Sequence, residues 1–275
     1  MVKILWLPLL LLSANLLAQN ALKIESRSEF SIGEILILHS EVLAEDRIIN
    51  IYLPDSYQSN PDKNYPVIYL VDGSRDEDFI HIAGLVQFGS FSWINMIPES
   101  IVVGIANIDR QRDFTYPTKN QTLKAEIPSS GESAKFISFI QKELQPIIQT
   151  QYRTNDNKTL IGQSLGGLLA TEILFKHAEM FDNYIIVSPS LWWDDESLLD
   201  YQIKDFKSLK RIYIAVGKEG EVMERVAKAL YEKLKSGKNG FSEPHFDFLE
   251  DKDHGDALHI VTYNAFEKLF RKKND

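Results

Sequence analysis

The chain has 275 residues, 44% of them hydrophobic and 25% charged, with 39 acidic against 30 basic side chains and a formal net charge of −9. That is the composition of a globular protein with room for one large α/β domain or two small ones. The acidic balance, with Lys and Arg dispersed apart from a short run at Arg271 to Lys273, argues against nucleic acid as a partner, because phosphate backbones need clustered cations. The absence of cysteine excludes disulfides, zinc–thiolate centres, a thiol nucleophile and a lipid-modified N-terminal cysteine.

Taken in chain order, the first element is "MVKILWLPLLLLSANLLAQN". Lys3 precedes an almost wholly apolar stretch, Ile4 to Leu12, and Ala18 offers a small residue before Gln19. This is the pattern of a secretory signal peptide over residues 1–18, with an uncleaved anchor as the alternative. The stretch is short for a span of about 20 residues, and no later segment is long and apolar enough to cross a bilayer. The expectation is a secreted or periplasmic protein with no membrane span after signal removal, and a single domain over residues 19–275.

"ILILHSEVLAEDRIINIYLPDSY" alternates apolar and polar residues about a turn-like "AED" and predicts an antiparallel hairpin. Val67 to Val71 is a continuous apolar run, the pattern of a strand buried on both faces. A helix is expected over "DEDFIHIAGLVQF", and a second buried strand over Ile101 to Ile105. The next 25 residues, from Asp109 to Ser133, are polar and lack periodicity, and read as a long loop. Phe136, Ile140, Leu144 and Ile147 then mark an amphipathic helix, with Pro146 expected to kink its last turns. A strand over Thr159 to Ile161, a helix from Leu165, strands in "NYIIVSPS", "RIYIAVG" and "HFDFL", and two further helices complete the chain. Strands and helices alternate from residue 66 onward, which implies an α/β fold: a mostly parallel central sheet with helices on both faces.

The stretch "LIGQSLGG" carries the chemistry. Ser164 lies between a predicted strand and a predicted helix and is flanked by Gly162, Gly166 and Gly167. In that context G-x-S-x-G is a nucleophile elbow: a strained turn lifts the serine hydroxyl above the sheet edge, and missing Cβ atoms let strand and helix approach. The helix N-terminus adds free N–H groups where an oxyanion would develop. A serine needs a base. Of the six histidines, His39, His81, His177, His245 and His259 fall in predicted elements or at their ends. His254 lies in the polar loop "EDKDHGD" between the last strand and the last helix. The order serine before histidine fits an α/β hydrolase. For the acid, Glu219 follows the strand "IYIAV" by three residues and is favoured, while Asp194, Asp195 and Glu221 remain alternatives.

The segments "YPVIYLVDG", "IVVGIANIDRQRDFT", "LIGQSLGG", "FDNYIIVSPSLWW", "IAVGKEGEVM" and "DKDHG" occur in the order seen in the putative esterase family of α/β hydrolases. The resemblance covers residues 35 to 270 or so, and is greatest to small secreted esterases similar to ferric-siderophore esterases. The wider family includes feruloyl and acetylxylan esterases, S-formylglutathione hydrolases and mycolyltransferases. The resemblance implies an α/β-hydrolase fold with Ser164 as nucleophile, His254 as base and Glu219 as acid. It also implies an oxyanion hole from the backbone N–H of Leu165 with a second N–H near Gly73 or Ser74.

The expected activity is serine carboxylic-ester hydrolysis through an acyl-enzyme, on a small-molecule ester such as a siderophore, with no metal or organic cofactor. Acyl transfer on the same scaffold and a non-catalytic binding protein are the alternatives. Arg110 and Arg112 are candidates for contact with an anionic substrate, Arg112 alternatively pairing with Asp113. Trp192 and Trp193 are candidates for a pocket wall or for core packing.

Overall fold

The computed structural model describes residues 24–203, 210–237 and 243–271. The chain divides into a unit of residues 1–31 and a compact unit of residues 32–275. Residues 24–31 carry no helix or strand. The signal peptide expected over residues 1–18 lies outside the described residues. All the described helices and strands belong to the second unit.

Among the described residues, eight strands form one sheet: β1 (Glu34–Ser40), β2 (Glu45–Tyr52), β3 (Tyr65–Val71), β4 (Ile101–Ile105), β5 (Thr154–Gln163), β6 (Asn183–Val187), β7 (Arg211–Gly217) and β8 (His245–Leu249). Their order is β1-β2-β4-β3-β5-β6-β7-β8. The expected hairpin, β1–β2, is present, and β2 also runs antiparallel to β4. The pairs from β4 through β8 are all parallel. The main helices are α1 (Phe79–Ser90), a helical run α2 over residues 133–151, α3 (Leu165–Lys176), α4 (Glu221–Ser236) and α5 (Ala257–Phe270).

Alternation of side chains along the strands explains the two cores. Val67, Tyr69 and Val71 of β3 join Leu160, Tyr184, Ile186 and Ile214 on the face covered by α2, α3 and α4. Ile68 and Leu70, with Ile161, Ile185 and Tyr213, face α1 and α5. Both faces are covered, which is why the inner strands read as unbroken apolar runs rather than as alternating ones.

Two details differ from the sequence expectation. The run at 133–151 departs from α geometry one turn before the proline: Ser133–Phe139 is α, Ile140–Leu144 is a π turn, and Gln145–Gln151 is α again. Pro146, which has no N–H to give to the preceding turn, thus directly follows the π turn, where the regular α hydrogen-bond ladder is already interrupted. The expected loop from Asp109 to Ser133 contains two short helices, Arg110–Phe114 and Gln121–Glu126. Asp109 and Asn120 cap them by accepting from the N–H groups of Arg112 and of Thr122 and Leu123.

The first of these helices is tied to the sheet by a buried ionic network. Arg47 on β2 is fully buried and donates to Asp113 Oδ2 at 2.8 Å, Glu45 Oε1 at 2.8 Å and the Ala106 carbonyl at 3.0 Å. Arg112 closes the ring onto Asp113 Oδ1 at 2.7 Å and Glu45 Oε1 at 2.6 Å. The Arg47 guanidinium also lies over the Phe136 ring of α2. Burial raises the pKa of the Glu45 carboxyl, but the donors on Arg112 and Arg47 outweigh it and hold the group below the usual glutamate value.

Removing Arg47 leaves two carboxylates sharing Arg112. Arg47→Met is expected to lower unfolding free energy by about 3 kcal/mol, the scale for breaking one side of a buried ion pair. Urea unfolding followed by circular dichroism measures this; a loss under about 1 kcal/mol would show that the network does not hold the segment.

Candidate active site

The parallel strands end at one edge of the sheet, and side chains placed just beyond those ends converge there. β5 ends at Gln163 and α3 begins at Leu165, so Ser164 makes the whole connection. Its backbone has φ 59° and ψ −120°, a conformation that costs a non-glycine residue about 1–3 kcal/mol. The surroundings enforce it. Ser164 N–H donates to the Val187 carbonyl at 3.0 Å, and the Ser164 carbonyl accepts from Leu168 N–H at 2.9 Å and Ser190 N–H at 3.0 Å. A Cβ on Gly162 would lie 2.3 Å from the Gly166 carbonyl oxygen, so the approach of strand and helix requires glycine there.

Leu165 is the first residue of α3, and its N–H therefore has no acceptor within the helix. Of the two residues expected to offer the second oxyanion donor, Gly73 and Ser74, the structure removes one. Gly73 N–H donates to the Ile105 carbonyl at 3.0 Å, so it belongs to the β3–β4 edge and is not available to a ligand. Ser74 N–H has only a long bond, 3.4 Å, to Glu77 Oε2 and is the candidate that remains.

His254 sits in the loop between β8 and α5. Its backbone carbonyl accepts from Gln163 Nε2 at 2.6 Å, one residue from Ser164. The same loop is bound to the end of β7 by Lys218 N–H donating to the Lys252 carbonyl at 2.6 Å. A Cβ on Gly217 would lie 2.6 Å from that carbonyl oxygen, so the loops meet only because residue 217 has none.

Glu219, just past β7, has a side chain 3% exposed. Its Oε2 is 2.5 Å from His254 Nδ1. Its Oε1 accepts from Ser188 Oγ at 2.5 Å and from Gly217 N–H at 2.9 Å. Burial raises the pKa of this carboxyl, but the bonds from His254, Ser188 and Gly217 N–H outweigh it and hold the group below the usual glutamate value. The same contact, opposed by desolvation, lifts the His254 imidazole above its ordinary value.

The alternative acids are engaged elsewhere. Asp194 accepts from Thr118 Oγ1 at 2.8 Å, Lys119 N–H at 2.5 Å and Ser197 Oγ at 2.7 Å, and Asp195 accepts from Asn120 Nδ2 at 2.9 Å. Both therefore pin the segment that follows β4. Glu221 is the first residue of α4.

Ser164 and His254 together border two adjoining lobes of a cleft. One, of about 340 Å³, is also lined by Asp72, Glu77, Asp78, Arg110 and Gln163. The other, of about 700 Å³, is lined by Ser190, Trp192, Lys218, Glu219, Met223 and Asp253. Ser164 Oγ lies 3.4 Å from Ser190 Oγ. No hydrogen bond joins Ser164 to His254 among the described residues; in unliganded sites such bonds are commonly long and tighten when substrate binds.

The remaining candidates separate. Arg110 reaches the cleft, but its Nε and Nη2 each donate to Asp72 at 2.9 Å, so its charge is matched. Arg112 is spent in the Arg47 network. Trp192 borders the cleft. Trp193 is fully buried, its indole N–H donating to the Tyr116 carbonyl at 2.9 Å, and belongs to the core. The other histidines lie outside this cleft: His39 pairs with Asp46, and His81 stacks on His259 with ring centroids 3.7 Å apart. Among the described residues, no group of three or more His, Asp or Glu is arranged to hold a metal ion.

The sequence reading missed Asp72, Gln163, Ser188 and Ser190. Asp72 and Ser188 could have been found from position alone, since each directly follows a parallel strand, β3 or β6, at the edge where Ser164 stands.

A family model described as "Putative esterase" matches residues 40–246. Ferri-bacillibactin esterase BesA of Bacillus subtilis is 31% identical over 168 residues, 56% of this chain and 58% of the relative. The siderophore triacetylfusarinine C esterase of Aspergillus fumigatus is 34% identical over 155 residues, 54% of this chain and 51% of the relative. The alignments thus span little more than half the length of these two relatives. Among solved structures, an IroE-like serine hydrolase from Shewanella oneidensis superposes with a TM-score of 0.78 at 30% identity, covering 86% of this chain and 80% of its own. The BES protein from Bacillus cereus gives 0.76 at 27% identity, covering 90% and 98%.

Because Glu219 favours the imidazolium form, His254 is expected to titrate above the 6.5 of an unperturbed imidazole, and Glu219→Gln is expected to bring it back down. The His254 ring resonances followed by NMR against pH measure both; a His254 midpoint indifferent to Glu219→Gln would contradict the pairing.

Proposed function

The chain belongs to the putative esterase family, and from that premise we propose that it hydrolyses carboxylic esters through a serine acyl-enzyme. The observation that carries the reading is the His254–Glu219 contact of 2.5 Å opening onto the cleft that Ser164 borders in its strained turn. In this reading His254 Nε2 removes the Ser164 proton as Oγ attacks the ester carbonyl. Glu219 holds the Nδ1 tautomer and stabilises the imidazolium that forms. The N–H groups of Leu165 and Ser74 receive the oxyanion. His254 then returns its proton to the leaving alkoxide, and a water activated by the same imidazole releases the acid. The His254 side chain is 49% exposed, so water can reach the acyl-enzyme, as hydrolysis requires.

For the substrate, the names of the relatives supply a class: BesA is a ferri-bacillibactin esterase and the Aspergillus fumigatus protein is a triacetylfusarinine C esterase. We extend that class, small siderophore esters, to this chain as a proposal, with Trp192 and Arg110, which line the two lobes beside Ser164 and His254, as candidate substrate contacts. No helix among the described residues is long and apolar enough to cross a membrane. Residues 1–18 are proposed as a signal peptide, giving a secreted or periplasmic protein.

Two outcomes are expected. Ser164→Ala should abolish turnover of p-nitrophenyl acetate while remaining folded, and Glu219→Gln should lower kcat by roughly 10³–10⁴, the scale set by other triads. Asp194→Asn and Asp195→Asn should stay within about tenfold of the parent enzyme, since their bonds hold a neighbouring segment. A Glu219→Gln enzyme near parental activity beside a collapsed Asp194→Asn would move the acid to the earlier strand. Protein recovered from its native host should have an N-terminal mass beginning near Gln19; a mass beginning at Met1 would remove the signal peptide.

A further inference from the structure

A glutamate that orients a histidine has a difficulty of its own. Its terminal torsion is broad, so the carboxylate turns easily about it. The two oxygens must nevertheless be divided, one reserved for the imidazole. In this site they are divided: Oε2 meets only His254 Nδ1, and Oε1 meets Ser188 Oγ at 2.5 Å and Gly217 N–H at 2.9 Å. A carboxylate has no proton to give, so the Ser188 hydroxyl is the donor.

Ser188 is itself held for this task. It is the first residue after β6, fully buried, with its N–H donating to the Ala215 carbonyl at 2.7 Å and a φ of +44° that disfavours any side chain. Two residues on, Ser190 N–H donates to the Ser164 carbonyl, and Ser190 Oγ lies 3.4 Å from Ser164 Oγ. The tripeptide Ser188-Pro189-Ser190 therefore touches the acid with its first residue and the nucleophile's backbone with its last.

We propose that Ser188 is a positioning residue for ester hydrolysis: its hydroxyl sets the rotation of the Glu219 carboxylate so that Oε2 alone faces His254. The proposal rests on Glu219 being the acid of the reaction. Without the hydroxyl, Oε1 keeps only the Gly217 N–H, the carboxylate gains rotational freedom, and the bond to His254 is made for a smaller fraction of the time.

The test is a double-mutant cycle on the purified enzyme with p-nitrophenyl acetate. Ser188→Gly removes the hydroxyl and suits the positive φ, so a folded protein is expected; Ser188→Ala is its companion, and thermal melts check both. Ser188→Gly should lower kcat by about 10- to 100-fold, the worth of one hydrogen bond to a charged group, with KM changed by no more than about twofold. The acid limb of kcat/KM should move down in pH, because the imidazolium loses part of its stabilisation. In a Glu219→Gln background the same substitution should change kcat by less than about twofold, since it acts through that carboxylate. A Ser188→Gly enzyme equal to the parent, while Glu219→Gln collapses, would overturn the proposal and leave the triad standing. An equal loss in both backgrounds would assign Ser188 to packing alone and also overturn it. If Glu219→Gln itself is nearly silent, the triad reading fails and Ser188 has nothing to position.

Discussion

The backbone of Ser164 at φ 59° is the constraint on which the site depends. A single residue connects β5 to α3, so strand end, hydroxyl and helix N-terminus occupy the same few ångströms. The strained conformation persists because three hydrogen bonds from separate segments hold it: β6 through Val187, α3 through Leu168, and the Ser190 backbone. It also requires that Gly162 have no Cβ, since the Gly166 carbonyl already fills that space. Backbone hydrogen bonds and one close approach thus fix the turn that carries the serine.

The second half of the site comes from a comparable closeness. The loop bearing His254 is placed by contacts that do not involve its ring: Gln163 on its own carbonyl, and Lys218 N–H on the carbonyl of Lys252. Gly217 allows β7 and that loop to touch, and the touch brings Glu219 beneath His254. Glu219 is buried yet held below the usual glutamate value because three donors face it. A buried carboxylate with fewer donors would take up a proton and could not stabilise an imidazolium.

Charge organises the other wall of the cleft. Asp72 directly follows β3 with φ +55° and takes both available arms of Arg110, while Asn107 reaches the same carboxylate. Arg110 in turn begins the short helix anchored through Arg112 and Asp113 to buried Arg47. Cleft wall and core are therefore linked through one short helix, whose Arg110 pairs with Asp72 at the cleft while Arg112 and Asp113 join the separate network around Arg47. Glu77 and Asp78 border the same lobe; burial together with neighbouring Asp72 and Glu77 pushes the Asp78 carboxyl above its usual value.

Much of this architecture is legible in the sequence because it follows from local periodicity. Continuous apolar runs at 67–71 and 101–105 identify double-faced parallel strands, and a serine among glycines between strand and helix identifies the elbow. Three things were not legible. The segment after β4 looked featureless because its helices are single turns held by caps and by Asp194 and Asp195 from a distant loop. Trp192 and Trp193 are adjacent and chemically identical, yet one borders the cleft and the other fills the core. Gly73 and Ser74 are both small residues past β3, and only the register of β3 against β4 shows that the Gly73 N–H is already taken. By itself the sequence determined the fold class, the elbow and the candidate histidine, since each follows from short-range spacing. Only the tertiary structure decided which carboxylate meets His254, which arginine faces the cleft and which backbone N–H is held only by a long bond. Those answers depend on contacts between residues some 30 to 80 positions apart, as in Glu219 with His254 and Trp193 with Tyr116, which no local pattern records.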